Sequence, residues 1–85
     1  MQLRLLYFAW VREALGKNEE VRDFPSGVTT IADVLSALSQ DDERYAGAFA
    51  APERLRFALD QVYAGPETPI RDGAELGIFP PVTGG

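Results

Sequence analysis

At 85 residues and net charge −5, the chain is one domain; folding at this size buries about 60–65% of the unfolded surface, enough for a modest core and no deep internal pocket. Its 13 acidic side chains outnumber 8 basic ones, and Arg4, Arg12, Arg22, Arg44, Arg54, Arg56 and Arg71 are scattered, which excludes the basic footprint of a nucleic-acid binder. Cysteine and histidine are absent, which excludes disulfides, thiolate nucleophiles and imidazole acid–base catalysis, and leaves transition metals without their commonest ligands.

QLRLLYFA (2–9) is predicted as a strand, with Leu3, Leu5 and Tyr7 on one side and Arg4, Leu6 and Phe8 on the other. The alternation leaves Phe8 open: it is an exposed aromatic if only the first face is covered, and core if both are. AWVREALG (9–16) reads as a short helix stopped by Gly16. NEEVRDFP (18–25) alternates weakly and is predicted to pair with the first strand as an antiparallel hairpin, closed by Pro25-Ser26-Gly27. TTIADVLSALSQ (29–40) is the clearest helix, because Thr30 and Asp33 have capping-box spacing and Ile31, Val34, Leu35 and Leu38 form one apolar face.

A further helical piece is expected in DDERYAGAFA (41–50), opened by Asp41 or Asp42, with Tyr45 and Phe49 inward. LRFALDQVYA (55–64) reads as a strand, a turn at Asp60-Gln61 and a short strand. Gly65-Pro66 and Pro69 make the next stretch irregular, Asp72-Gly73 signals a turn, and AELGIF (74–79) is a last strand ended by Pro80. The order predicts an α+β fold of four to five strands under one main helix plus short helices, with first and last strands as central, parallel neighbours.

Few chemistries survive in this sequence. Asp41, Asp42 and Glu43 open a helix, where acids are normally a solvated face matched to its dipole. No Gly-rich phosphate loop links a strand to a helix, and no metal site is expected. The N-terminus lacks the pattern of a signal peptide, and no run approaches the roughly 20 apolar residues of a membrane span, so a cytoplasmic location without membrane contact is the expectation.

What remains is the end, FPPVTGG (79–85). Residues 1–79 are predicted as the domain and 80–85 as a flexible, extended tail. Pro80-Pro81 favours an extended exit, and Pro80, Pro81, Val82, Thr83, Gly84 and Gly85 reach on the order of 20 Å if fully extended. Gly84 and Gly85 have no Cβ, so a narrow channel can close on their backbone. The terminal carboxylate is unreactive until a partner converts it to an acyl-adenylate, after which a sulfur donor yields a thiocarboxylate and an amine yields an amide. The plain alternative is an idle tail of the kind most termini have.

This element order with a Gly-Gly end resembles the ubiquitin-like β-grasp sulfur carriers, and within them the small-subunit family of molybdopterin synthase. The likeness is carried by YFAWVREALG (7–16), LDQ (59–61) and DGAELGIFPPVTGG (72–85). It implies that Gly85 is adenylated by an adenylyltransferase related to those of the ubiquitin system, which uses ATP, and is then thiocarboxylated. It implies tail insertion into a large subunit that supplies the catalytic side chains, sulfur donation to cyclic pyranopterin monophosphate, and a heterotetramer with two large subunits in the middle. This chain would be a sulfur-donating, non-catalytic subunit with no bound cofactor. Phe8 and Phe79 would be apolar partner contacts, and Arg12 would pair with acidic partner groups. Asp60 stands where the family often has Asn, and Trp10 is unusual. A protein modifier conjugated through Gly85 uses the same activation, and the thiamine-pathway carrier shares the Gly-Gly end but usually lacks the Phe-Pro-Pro lead-in.

Overall fold

The structure, a computed structural model, describes residues 1–81. It contains strands β1 (Gln2–Tyr7), β2 (Glu19–Asp23), β3 (Arg56–Leu59), β4 (Val62–Ala64) and β5 (Glu75–Phe79), and helices α1 (Ala9–Leu15), α2 (Ile31–Asp41) and α3 (Glu43–Ala48). A single 3₁₀ turn at Pro52–Arg54, not anticipated from sequence, precedes β3. The five strands form one mixed sheet in the order β2-β1-β5-β3-β4. β5 lies at the centre, parallel to β1 and antiparallel to β3, so the expected α+β layout is present.

Local chemistry accounts for the helix ends. The Thr30 hydroxyl accepts from the Asp33 amide at 3.2 Å, and the Asp33 carboxylate accepts from the Thr30 amide at 3.2 Å, completing a capping box. Asp33 also accepts from the Thr29 amide, and these backbone bonds hold its carboxyl below the usual range. Asp42, rather than Asp41, caps α3 by accepting from the Arg44 amide. Gly16 ends α1 with φ 74°, a left-handed conformation that costs glycine little.

The first strand is shorter than its pattern suggests. Phe8 is the extended residue ahead of α1, and Ala9 starts the helix with φ 53°. At the β3–β4 turn Asp60 and Gln61 have φ 51° and 69°, the sign that a tight right-twisted hairpin demands of both central residues. The Asp60 carboxylate ties this turn to the start of β5 by accepting from the Glu75 amide at 2.9 Å and pairing with Arg71.

One face of the sheet is covered. Leu3, Leu5 and Tyr7 of β1, Leu76 and Ile78 of β5, and Phe57 and Leu59 of β3 share a single core cluster with Ile31, Val34, Leu35 and Leu38 of α2 and with Tyr45 and Phe49. Glu20 pairs in register with Leu5 and therefore points to this covered side. Its Oε2 accepts from the Tyr7 hydroxyl at 2.7 Å and the Tyr45 hydroxyl at 2.5 Å. Its Oε1 faces Lys17 Nζ and Arg22 Nη1, each at 3.4 Å. Burial pushes the Glu20 carboxyl upward, but the bonds from Tyr45 and Tyr7 and the two cations outweigh it and hold the group below its ordinary value. Burial, with the Glu20 bond, drives Tyr7 upward.

Glu20→Leu strands a buried Tyr7 hydroxyl, for a stability loss of about 1–3 kcal/mol in chemical denaturation. A depressed folded-state pKa contributes stability above the unfolded value, about 4.3 for Glu, and loses it as pH falls through the folded value. Below about pH 5 the wild type therefore loses more stability than Glu20→Gln does, and parallel curves would show that the carboxylate carries no such linkage.

Candidate functional site

Among the described residues, no helix lies on the other face of the sheet. Arg4 and Leu6 of β1, Glu75, Gly77 and Phe79 of β5, and Arg56 and Ala58 of β3 alternate onto this side. In register, Leu6 opposes Gly77, Ala58 also opposes Gly77, and Tyr63 of β4 opposes Ala58. The centre of the open face is thus small and apolar, with aromatic residues around it.

Phe8 is one residue beyond Tyr7, and so emerges on the open side. Its amide donates to the Ile78 carbonyl at 3.2 Å, and its carbonyl accepts from the Val11 amide at 3.1 Å, which fixes the backbone between β5 and α1. The side chain is 46% exposed, which settles the two alternatives in favour of an outward aromatic. Its ring meets Phe79 edge-on, with centroids 6.4 Å apart. Phe79 in turn meets Tyr63 at 6.0 Å, and Tyr63 is 79% exposed. A row of three aromatic rings therefore crosses the open face with Phe79 in the middle.

Two shallow depressions flank Phe79. One, of about 220 Å³, is lined by Leu6, Phe8, Ala58, Gln61, Gly77 and Phe79 among others. The other, of about 300 Å³, is lined by Arg56, Phe57, Tyr63, Ala64 and Phe79. A third hollow, of about 440 Å³, lies at the root of the tail between Trp10, Glu53, Arg54, Pro80 and Pro81. Trp10 is half-buried against the core, and the Arg54 guanidinium sits 5.2 Å from its ring centroid. Its placement is thus both core and surface.

Among the sequence-predicted residues, the structure brings Phe8 and Phe79 together and puts Pro80 and Pro81, half-buried, directly after β5. Arg12 is exposed on α1, and its side chain makes no hydrogen bond or ion pair among the described residues. Val82, Thr83, Gly84 and Gly85 lie outside the described residues. Tyr63 was missed. The signal was available: a turn at Asp60-Gln61 sets Tyr63 opposite Ala58, and so on the open side.

Perturbed titrations do not coincide with this face. Tyr7, Lys17, Glu20 and Tyr45 belong to the network on the helix-covered side. Among the described residues there is no acidic cluster able to hold a metal ion, and no helix is long and apolar enough to cross a membrane. The open face presents apolar rings and small side chains, a surface suited to docking.

This mixed sheet, with helices on one face and parallel first and last strands, is the ubiquitin-like β-grasp fold. The chain belongs to the ThiS family, whose model matches residues 5–85. It is 34% identical to the molybdopterin synthase sulfur carrier subunit of Escherichia coli (strain K12), covering 98% of this chain and 99% of that one. It is 33% identical to the protein of the same name from Chlamydomonas reinhardtii, covering 100% of both chains. Among solved structures, small archaeal modifier protein 1 from Methanosarcina acetivorans superposes with a TM-score of 0.71 at 27% identity, covering 99% of this chain and 96% of that one. The Haloferax volcanii HVO 2177 protein gives 0.78 at 27% identity, covering 100% of this chain and 87% of that one. A Helicobacter pylori complex of subunits 1 and 2 of molybdopterin-converting factor gives 0.64 at 20% identity over 100% of both chains, a likeness of fold.

Exposed rings on the open face contribute little to folding. Phe8→Ala and Tyr63→Ala are expected to shift stability by less than about 1 kcal/mol each, against about 3–5 kcal/mol for the core change Phe57→Ala. Urea titrations of the three variants check this, and a large loss at Phe8 would make it a core residue.

Proposed function

We propose that this chain is the sulfur carrier and small subunit of a molybdopterin synthase. In this reading a partner adenylyltransferase joins the Gly85 carboxylate to AMP from ATP, with release of pyrophosphate. A sulfur donor then displaces AMP to leave a thiocarboxylate. Docking of the open face on a large subunit threads Val82, Thr83, Gly84 and Gly85 into a pocket that holds cyclic pyranopterin monophosphate. There the terminal sulfur passes to the substrate, and two carriers complete the dithiolene. The large subunit supplies the catalytic side chains, and the assembly is a heterotetramer with one carrier at each end.

The observation that carries this reading is the position of the aromatic row. Phe79 is at once its middle member and the last residue of β5, and Pro80-Pro81 follow immediately. A partner gripping Phe8, Phe79 and Tyr63 therefore sits at the root of the tail. Aromatic anchors at the centre of an interface typically dominate its binding energy. The full-length similarity to carriers in two organisms points the same way. Arg12, exposed on α1 next to Phe8, is free to meet an acidic partner group.

A second reading, a modifier joined to lysines through Gly85, has specific support in the 27% identity to the Methanosarcina acetivorans modifier. Mass spectrometry of the protein from its own cells separates the two. Oxygen-to-sulfur exchange at Gly85 marks the carrier, and branched lysine conjugates mark the modifier.

Deleting Gly85, or adding one residue after it, is expected to abolish molybdenum-cofactor synthesis in a complementation assay while the melting temperature stays unchanged. Full activity of the extended variant would overturn the reading. Phe8→Asp is expected to weaken binding to the large subunit at least tenfold, a loss of about 1.4 kcal/mol or more. Isothermal titration measures it, and unchanged affinity would remove Phe8 from the interface.

A further inference from the structure

The helix-covered side carries a feature that docking does not use. The sequence has eight basic residues and only one of them, Lys17, is lysine; the rest are arginine. A guanidinium stays protonated at any physiological pH and is no acceptor for acyl groups. Lys17 is therefore the one side-chain amine on which an activated Gly85, from this chain or another copy, could be captured.

Its surroundings tether that amine, with the side chain 37% exposed. Gly16 turns the chain off α1 with φ 74°, and Lys17 follows directly. Lys17 Nζ donates to the Tyr45 hydroxyl at 3.2 Å and to Glu20 Oε1 at 3.4 Å, and lies 5.8 Å from the centroid of the Tyr45 ring. Arg22 shares Glu20 Oε1 and reaches Asp41 at 2.9 Å, while Tyr7 and Tyr45 saturate Glu20 Oε2. Glu20 and Tyr45 are thus held by the core and by other partners, so the cage does not depend on the lysine. Asp42 adds negative potential nearby. The Tyr45 hydroxyl bond raises the ammonium above its ordinary pKa; burial opposes it, and the charge and bond of Glu20 add to the rise.

We infer that this chain is built to be a poor acceptor of its own activated C-terminus, because its single lysine is caged by Glu20 and Tyr45 on the side of the sheet that a docked partner leaves bare. The inference rests on the reading that Gly85 becomes an acyl-adenylate. Capture on Lys17 would need the nitrogen lone pair to attack the Gly85 carbonyl carbon. A C–N bond would form, the C–O bond to AMP would break with its electrons leaving on the phosphate, and nitrogen would shed a proton. An ammonium has no lone pair to start this step, and a caged one must leave three contacts before it can lose its proton. Sulfur donors therefore meet the adenylate without competition from a side-chain amine of the carrier, and the chain does not branch through Lys17.

The test uses the full chain and a small acyl donor, N-hydroxysuccinimidyl acetate, at pH 8, with Nα-acetyl-lysine amide in the same tube as reference. Peptide mapping follows Lys17. Because the ammonium must leave its Tyr45 and Glu20 contacts before it can lose a proton, acetylation slower than the reference by about threefold or more is expected. Tyr45→Phe, which keeps the ring and loses the hydroxyl, is expected to recover at least half of that difference. A wild-type rate equal to the reference overturns the inference whether or not any variant folds. In a second arm the chain is incubated with its adenylating partner and ATP without a sulfur source. A Gly85–Lys17 linked dimer also overturns the inference. Failure to adenylate Gly85 would instead sink the carrier reading, and the acetylation arm would still decide the state of Lys17.

Discussion

The parallel pairing of β1 with β5 is the constraint on which the rest of the molecule depends. Leu5 lies beside Leu76 and Tyr7 beside Ile78, so the two central strands bury the same face. The strands run in the same direction, so their C-terminal ends emerge together. At one end is Phe8, and at the other are Phe79 and Pro80. Residues more than 70 positions apart in sequence are thereby made neighbours, with two rings 6.4 Å apart. A change that slipped this register by one residue would turn Leu3, Leu5 and Tyr7 outward and separate the rings.

The two faces of the sheet divide the labour. The covered face combines an apolar core with a polar knot at Glu20, where two hydroxyls and two cations meet one carboxylate. Each of these groups has a partner, and no buried side-chain polar atom is left unsatisfied among the described residues. The knot ties β1, β2 and α3 together, as Tyr7, Glu20 and Tyr45 each come from a different element. The open face carries aromatic rings packed on one another with no such polar ties. In the proposed reading, stability and recognition draw on different residues, and substitutions can separate them.

Much of this was legible locally. The capping residues Thr30 and Asp33, the inward row Leu3, Leu5 and Tyr7, and the stop at Gly16 each follow from chemistry within a few positions. Phe8 was undecidable from alternation, because its exposure depends on whether a helix covers the far side of β5. Tyr63 lies in a three-residue strand too short to show a period, and only its pairing with Ala58 assigns it a face. The Glu20 knot was hidden for another reason. A weakly alternating NEEVRDFP gives no hint that one of its acids faces inward, since the tyrosines that make this tolerable are supplied by β1 and α3. Sequence spacing records what an element does alone, and each of these features belongs to a meeting of elements.

Gly77 shows how one missing atom shapes that meeting. A Cβ built there would lie 3.5 Å from Phe8 Cε2 and 3.7 Å from the Ala58 carbonyl oxygen, ordinary contact and no more. A methyl group would just fit under the ring, whereas any bulkier substituent would prop it up like a wedge beneath a hinged lid. The tilt of the Phe8 ring is therefore governed from below, by a position with no side chain of its own to offer. Lineages that enlarge this residue would have to shrink the aromatic above it or let its ring swing away from the sheet.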